Sequence, residues 1–286
     1  MNVIEIYKQF KEQLETVYDR PEADSISDWV FESVTGLKKW KRKDPDLVLN
    51  EIENDIIQKY LEELLMHRPV QYVLNEAWFY KRKFFVDENV LIPRPETEEL
   101  VEWIIDDTKK LNKENENIKV LDIGTGSGCI PISLKLELPS SEITSIDISE
   151  GAAKTAKRNT DELEAKIELI VLNFLDENEW EFLPTFDIIV SNPPYIPLTE
   201  KDTLDKNVTD FEPGTALFVA DNNPFIFYEK IAGFARTHLC RDGRIYVEIH
   251  EKYAREVQTI FEKSGFITEI KKDIYGRQRM VKAIFI

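Results

Sequence analysis

Cysteine and histidine are scarce in this chain. Its 286 residues include two cysteines and three histidines, and neither type is clustered. Cys129 and Cys240 stand too far apart in sequence to suggest a disulfide framework, and no spacing is typical of a zinc site. The sequence therefore predicts a reduced protein with no metal.

Long apolar runs are also missing. No stretch approaches the length of a membrane span, and no apolar segment precedes a cleavage site near the N-terminus. We therefore expect a cytoplasmic protein with no membrane partner.

Positive charge is not in excess. The formal net charge is −17, whereas proteins that bind nucleic acid through its phosphates usually show a basic face, because counterion release drives that binding. The run Lys38-Lys39-Trp40-Lys41-Arg42-Lys43 is a candidate basic patch, but a solvated loop beside a helix end explains it equally well. The charge therefore disfavours a nucleic-acid partner.

The first quarter of the chain has the pattern of a small helical domain. Apolar residues recur at helical spacing from Val3 to about Leu74, in three stripes. We expect Pro21 to close the first helix and Gly36 the second. We place this domain at residues 1–74 and assign it no chemistry from the pattern itself.

The next segment has the pattern of a linker. Aromatic residues on both sides of Lys81-Arg82-Lys83 predict a β-hairpin, within a linker at 75–95. Pro93 and Pro95 enclose Arg94 and make a rigid entry to a helix from Leu100 to Ile105. Arg94 is thus placed either to orient a ligand carboxylate or to brace the linker, and both interpretations stay open.

The remainder, 96–286, alternates strands and helices, which is typical of a parallel sheet covered on both faces. The strand from Lys119 to Ile123 leads into Gly124-Thr125-Gly126-Ser127-Gly128 and a helix. Three glycines in five residues allow a tight turn and a close ligand approach. The third glycine of the dinucleotide fingerprint would fall at Cys129, so a pyrophosphate site is disfavoured.

The following strand ends at Asp147. A carboxylate at the tip of the second strand can accept both hydroxyls of a ribose, although it could also cap the next helix, a role open to Ser149 as well. A nucleoside site without a phosphate site fits S-adenosylmethionine, whose adenosine carries a sulfonium and an amino acid.

The sequence Asn192-Pro193-Pro194-Tyr195 follows a buried strand, Phe186 to Val190. Consecutive prolines cannot continue a sheet, so the chain leaves in a stiff loop at the edge where open α/β sheets bind ligands. The side-chain carbonyl of Asn192 and the main-chain carbonyl of Pro193 suit a planar amino group, and Tyr195 offers an aromatic face. The alternative is an ordinary strand-terminating turn.

With these motifs the chain resembles the class I S-adenosylmethionine-dependent methyltransferases. More narrowly, it resembles the release-factor glutamine N5-methyltransferases, the PrmC/HemK family, over nearly its whole length. The segments that carry the resemblance are Arg68–Tyr72, Leu91–Glu98, Asp122–Gly128, Asp147, Asn192–Tyr195, Glu248-Ile249 and Asp273–Arg279. Asn-Pro-Pro-Tyr alone is shared with adenine N6-methyltransferases, whereas Ile-Pro-Arg-Pro-Glu-Thr is far more specific.

The resemblance implies an α/β fold with a seven-stranded Rossmann-like sheet whose last strand is antiparallel. Arg244 to Ile249, Phe266 to Ile270 and Met280 to Ile286 would supply the last three strands. It also implies a cofactor, S-adenosylmethionine, with S-adenosylhomocysteine as product, and peptide chain release factors as partners. We expect the helical domain to bind the release factor, because every candidate residue for the nucleoside site lies after Lys119.

Roles for single residues follow from the same resemblance. Gly124, Thr125, Gly126, Ser127 and Gly128 would pack against the methionine part of the cofactor. Asp147 would hold the ribose, and Phe174 would lie near the adenine. The substrate glutamine would contact Asn192, Pro193, Pro194, Tyr195 and Arg94, with Asn192, Pro193 and Tyr195 acting in catalysis and Asn192 also touching the cofactor. The chain departs from the family at Asn173, His250 and Ala216–Asp221.

Three other functions are compatible with parts of the sequence. An adenine N6-methyltransferase acting on DNA or RNA would need a basic channel, which the net charge disfavours. A nicotinamide-dependent dehydrogenase is disfavoured by Cys129 at the fingerprint position. A non-catalytic cofactor-binding adaptor would have no need to keep the complete Asn-Pro-Pro-Tyr motif.

Overall fold

A computed structural model describes residues 2–38, 44 and 46–285 of the chain. Residues 39–43, which hold most of the basic run and Trp40, lie outside the described residues.

The chain forms two compact units. One comprises Met1–Glu76 with Asp205–Phe211, and the other comprises Ala77–Leu204 with Glu212–Ile286. The hairpin that we assigned to a linker thus belongs to the second unit.

The helices of the described residues are α1 Val3–Leu14, α2 Arg20–Thr35, α3 Glu51–Leu65, α4 Val70–Leu74, α5 Pro95–Lys110, α6 Cys129–Glu137, α7 Glu150–Glu162, α8 Lys206–Thr209, α9 Gly214–Leu217, α10 Ile226–His238 and α11 Ala254–Lys263. The strands are β1 Ala77–Phe79, β2 Arg82–Phe84, β3 Lys119–Ile123, β4 Glu142–Asp147, β5 Glu168–Val171, β6 Phe186–Ser191, β7 Ile196–Pro197, β8 Phe218–Val219, β9 Leu239–Glu248, β10 Phe266–Lys272 and β11 Gln278–Phe285.

The first unit is helical, as predicted, but the prediction for Pro21 was wrong. Helix α1 ends at Leu14, and Pro21 lies in the first turn of α2, where its missing N–H breaks no helical hydrogen bond. The side chain of Asp19 caps α2 by accepting from the backbone N–H of Glu22 at 2.9 Å. Gly36 does end α2, with a left-handed φ of 67°.

The predicted hairpin is present as β1 and β2, which pair antiparallel. Its two turn residues are Tyr80 and Lys81, both with positive φ (46° and 63°), as a two-residue hairpin turn of type I′ requires. Arg82 and Lys83 therefore belong to β2, so the turn is shorter than the basic triplet suggested.

The second unit is built on a seven-stranded sheet of order β10-β11-β9-β6-β3-β4-β5. Strands β9, β6, β3, β4 and β5 run parallel, and β11 pairs antiparallel with both neighbours, which confirms the predicted fold class. Ile123 pairs with Ile146 on one side and with Ser191 on the other. The loops after β3, β4 and β6 therefore begin side by side at one edge.

Alternate residues of the central strands enter two separate cores. Leu121, Ile189 and Ile245 pack in the cluster that includes α10 and α11 residues, and Val120 and Ile188 pack in the cluster that includes α5 and α6 residues. Burial on both faces explains why these strands are almost continuously apolar. Within the described residues, no helix combines the length and apolarity that a bilayer crossing needs.

Candidate active site

The glycine loop after β3 is fastened to the end of β4. The backbone N–H groups of Gly124 and Thr125 both donate to the carbonyl of Ile146, at 2.9 and 3.1 Å. Gly128 has a φ of 80°, and a Cβ there would lie 3.0 Å from the Ile132 side chain, so a larger residue would be strained and crowded. The loop is thus held in one conformation before any ligand binds.

Asp147 at the tip of β4 takes part in the same arrangement. One carboxylate oxygen accepts from the Gly126 N–H at 2.9 Å, and the other accepts from the Ser149 N–H at 2.9 Å. Since each carboxylate oxygen has about two acceptor sites, each keeps one for a ligand hydroxyl. The cap of α7 is Ser149, which accepts from the Ala152 N–H, so the alternative role of Asp147 as that cap does not apply.

The buried carboxyl group of Asp122 supports the glycine loop through two hydroxyl groups. Asp122 has no solvent exposure and accepts from the Ser145 hydroxyl at 2.5 Å, and that hydroxyl lies 2.6 Å from the hydroxyl of Thr125. Burial, the largest cause, raises the pKa of Asp122 to about 7. Sequence analysis placed Asp122 in a motif but gave it no role of its own.

Asn159 of α7 fixes the far side of the loop. Its amide nitrogen donates to the carbonyls of Ser127 and Phe85, at 2.8 and 2.9 Å, and its oxygen accepts from the Phe85 N–H at 2.7 Å. The side-chain nitrogen and oxygen of Asn159 therefore both bind backbone atoms, and the residue links the glycine loop to the segment after β2.

Phe174 belongs to the hydrophobic core and also lines an open cavity at this edge of the sheet. Its ring stacks on Trp180, with centroids 5.5 Å apart, and only 5% of the residue is exposed. The oxygen of the neighbouring Asn173 side chain accepts from the Leu175 N–H at 3.1 Å. Both residues line this cavity, and a contact of Phe174 with adenine stays a prediction.

Asn192 is oriented by a network that sequence analysis missed. Its amide nitrogen donates to the Thr97 hydroxyl at 3.1 Å, and Thr97 donates to one carboxylate oxygen of Glu248 at 2.6 Å. The Tyr195 hydroxyl donates to the other oxygen of Glu248 at 3.1 Å. Among the described residues, the side-chain oxygen of Asn192 has no hydrogen-bond partner, so it is available as an acceptor.

Glu248 ends strand β9 and is 2% exposed. Burial, as the largest cause, raises the pKa of its carboxyl group, and the hydrogen bonds from Thr97 and Tyr195 act in the opposite direction. Thr97 and Glu248 both lie in segments that carry the family resemblance. A glutamate closing the apolar run Ile245-Tyr246-Val247 was the signal that could have identified the buried carboxylate.

Arg94 forms an ion pair inside the second unit. Its guanidinium lies 2.5 Å from a carboxylate oxygen of Glu212, whose other oxygen accepts from the Ile92 N–H at 3.2 Å. The Glu212 side chain is 2% exposed. This contact matches the bracing interpretation of Arg94, and its predicted role toward a substrate stays a prediction.

One open cavity joins most of the predicted residues. Its open volume is about 1060 Å³, which includes solvent-filled space at the mouth. Of the predicted site residues, those that line it are Gly124, Thr125, Gly126, Ser127, Asp147, Phe174, Asn192, Pro194 and Arg94. Gly128, Pro193 and Tyr195 are not among the lining residues. Gly128 packs on α6, and the Tyr195 hydroxyl donates to Glu248.

The electrostatics of the cavity are simple. Asp147 and Arg94 are the charged side chains in the lining formed by the described residues, and Arg94 is already paired. The described lining therefore offers no unpaired cation to bind a phosphate group, whereas the Asp147 carboxylate can accept hydrogen bonds from ribose hydroxyls. In the part of the chain that the structure describes, no group of three or more His, Cys, Asp or Glu residues has the geometry of a metal site.

Comparison with known proteins identifies the family of the chain. A family model for the methyltransferase small domain matches residues 108–211. The chain is 43% identical to release factor glutamine methyltransferase of Flavobacterium psychrophilum, with 97% of both chains covered, and 35% identical to that of Bacteroides thetaiotaomicron, with 99% of both covered. Among solved structures, the METTL16 methyltransferase domain superposes with a TM-score of 0.51 at 16% identity, covering 71% of this chain and 87% of that one, which concerns the fold alone. The two curated relatives, alike over almost their full length, show that the chain belongs to the release factor glutamine methyltransferase family.

Proposed function

We propose that this protein transfers the methyl group of S-adenosylmethionine to the side-chain amide nitrogen of a glutamine in a peptide chain release factor. The observation that carries the proposal is the orientation of Asn192. Its nitrogen is bound to Thr97, so its oxygen is the group left to accept a hydrogen bond from an incoming amide. The relatives, which are release factor glutamine methyltransferases, support the choice of substrate, and we place the reaction in the cytoplasm because release factors act on ribosomes.

The residues of the cavity fit the proposed cofactor. Asp147 keeps an acceptor site on each oxygen for the two ribose hydroxyls, and the glycine loop leaves space along its backbone. Leu172 and Phe174 provide an apolar wall for a flat base. When bound, S-adenosylmethionine supplies an electrophilic methyl group on its sulfonium.

The protein must make a poor nucleophile react. The lone pair of a glutamine amide nitrogen is delocalised into its carbonyl group, so the free amide barely attacks carbon. Hydrogen bonds from its two N–H groups, to the side-chain oxygen of Asn192 and the main-chain carbonyl of Pro193, return electron density to nitrogen and fix its direction. Orientation of this kind can supply as much as roughly 7–11 kcal/mol of the barrier.

A strong general base is unnecessary in this scheme. The methylated amide nitrogen becomes much more acidic than the starting amide, and it can lose its proton to water after transfer. Tyr195 is not suited to act as a base, since burial raises the pKa of its hydroxyl far above neutrality. Its hydroxyl donates to Glu248, and its ring packs against the hydrophobic core rather than lining the cavity.

The helical unit, residues 1–74 in our assignment, is proposed to recognise the release factor. The predicted cofactor-binding residues, from Gly124 to Phe174 together with Asn192, lie in the second unit, which supports a separate recognition role for the first. The net charge of −17 supports a protein substrate over a nucleic acid.

The test is a transfer assay with purified protein and S-adenosylmethionine labelled on the methyl group. Release factor, DNA and RNA are offered separately, together with a release factor whose acceptor glutamine is changed to alanine. We expect label on the unaltered release factor alone, located by mass spectrometry on one glutamine. Label on DNA or RNA would instead favour an adenine methyltransferase, and binding of cofactor without transfer to any acceptor would favour an adaptor.

A further inference from the structure

We propose that Thr97 and Glu248 are positioning residues that determine which end of the Asn192 amide faces the acceptor, and so make the site prefer a glutamine over a glutamate. The inference rests on the proposed function, because it concerns the acceptor of the same methyl transfer. Its basis is the direction of the hydrogen bonds among three buried or half-buried side chains.

The direction is set at Glu248. Both of its neighbours donate to it: the Thr97 hydroxyl to one carboxyl oxygen and the Tyr195 hydroxyl to the other. The Thr97 hydroxyl has one proton, which it gives to Glu248 at 2.6 Å. Its remaining capacity is as an acceptor, and the 3.1 Å contact with Asn192 therefore selects the amide nitrogen. The amide oxygen then faces the cavity.

Glu248 is itself held in place. The Tyr228 hydroxyl donates to its main-chain carbonyl at 3.0 Å, and Glu248 pairs with Met280 in the sheet. The Tyr195 hydroxyl donates to its second carboxylate oxygen at 3.1 Å. One carboxylate thus fixes two members of the Asn-Pro-Pro-Tyr motif, the amide of Asn192 and the ring of Tyr195.

A wrongly directed Asn192 would present its amino group to the acceptor. A glutamine amide also presents its amino group there, so two sets of donors would face each other with no acceptor between them. A glutamate carboxylate would then be the better match, because it accepts from donors. The direction of this network therefore selects the substrate class as well as supporting the rate.

The experiment uses the full-length protein with Thr97→Ser, Thr97→Val and Glu248→Gln variants. Thr97→Ser keeps the hydroxyl and should keep kcat within roughly threefold of the parent, whereas Thr97→Val removes it and should lower kcat about 10- to 100-fold. Glu248→Gln can donate to Thr97, which frees the threonine proton for the Asn192 oxygen, and should lower kcat by a similar factor. The dissociation constant for S-adenosylmethionine should change less than about threefold in all three.

The decisive readout is selectivity. Inhibition by a release factor with glutamate in place of the acceptor glutamine is compared with the KM for the natural acceptor. The Glu248→Gln variant should reduce the preference for glutamine over glutamate by roughly tenfold or more. The reason is that a reversed Asn192 amide would place its N–H donors against the donors of the glutamine amide, where the parent forms a hydrogen bond. A merely structural defect would weaken both acceptors equally. Equal weakening, or parental rate and selectivity in both Thr97→Val and Glu248→Gln, would overturn the inference.

Two matched controls lie near the C-terminal end of α5. Asp107 accepts from the Tyr246 hydroxyl at 3.0 Å, as Glu248 accepts from Tyr195, and Thr108 is buried like Thr97. Both stand roughly 15 Å along the helix from Thr97 at 1.5 Å per residue. Asp107→Asn and Thr108→Val should leave transfer and selectivity unchanged. If the parent protein methylates no glutamine, the proposed function itself is overturned. That result differs from variants that behave like an active parent, which would overturn only this inference. If Glu248→Gln does not fold, Thr97→Val still tests the inference.

Discussion

The N–H of Gly126 donates to Asp147 at 2.9 Å, so the glycine loop and the carboxylate proposed to hold the ribose are a single preformed unit. Strand pairing between β3 and β4 brings the two loops together, and this hydrogen bond fixes the carboxylate plane. The proposed ribose site is thus organised in the absence of cofactor, and such preorganisation lowers the ordering cost of binding.

Asp147→Ala is expected to weaken S-adenosylmethionine binding while the fold stays intact. Each lost hydrogen bond between a ribose hydroxyl and a charged group is worth roughly 1.5–3 kcal/mol, so the dissociation constant should rise at least tenfold. Isothermal calorimetry measures the change. Asp176→Ala is the matched control, because Asp176 also accepts from a backbone N–H two residues later, that of Asn178, and does not line the cavity. Unchanged affinity in a folded Asp147→Ala variant would refute the ribose assignment.

Asp122 gives a prediction about pH. Its pKa is about 7 in the folded protein against 3.8 as the ordinary value, so between those values the folded state binds more protons than the unfolded state. Stability must therefore fall as pH rises through this window. Asp122→Asn stays neutral and should be as stable as the parent near pH 4, but more stable near pH 8 by at most about 4 kcal/mol. Urea unfolding of the cofactor-free protein at the two pH values measures the difference, and a variant with the parental pH dependence would contradict this account.

Removal of residues 1–76 should separate cofactor binding from substrate recognition. The proposed nucleoside site lies entirely in the second unit, so S-adenosylmethionine affinity should stay within roughly threefold of the parent. Methylation of the release factor should fall at least tenfold, because docking of the protein substrate is lost. Circular dichroism checks that the fragment is folded. Full transfer activity in a folded fragment would show that the helical unit is not the recognition element.

Much of this architecture could be predicted because it depends on local patterns. Continuous apolar runs predicted the buried strands, and the glycines after Ile123 predicted the loop. Asp147 ends strand β4 and Asn192 follows strand β6, and both strands pair with β3, so correct topology was enough to bring the two residues to one edge. Pro21 was misassigned because a proline can end one helix or begin the next, and the side-chain cap at Asp19 decided the matter.

The supporting residues could not be predicted in the same way. Thr97 and Glu248 are 151 positions apart, and their 2.6 Å contact exists only because α5 packs on the sheet near the end of β9. The partner of Arg94 was equally hidden, since Glu212 lies 118 positions later in an irregular segment. Hydrogen bonds between distant side chains leave no periodicity in a single sequence, so a motif can be recognised while the groups that orient it are missed.

The last prediction concerns Asn192, on which the proposed function depends. Asn192→Ala removes the acceptor for the glutamine amide and should lower kcat/KM by roughly two to four powers of ten, or about 3–5 kcal/mol. Cofactor affinity should change much less, and stability by less than about 1 kcal/mol, because the residue lies in a loop and packs little.

Asn192→Asp is the more informative variant. The new carboxylate keeps an acceptor toward the substrate but loses the N–H that Thr97 accepts at 3.1 Å. Since the Thr97 proton already goes to Glu248, two acceptors would face each other, and the side chain should turn away or compete for that proton. We therefore expect a loss of kcat close to that of Asn192→Ala, measured by the same methyl-transfer assay. If Asn192→Asp methylates glutamine at the parental rate, the hydrogen bond to Thr97 does not orient residue 192. If Asn192→Ala does so as well, the loop is only a turn, and the acceptor site must lie elsewhere along the sheet edge.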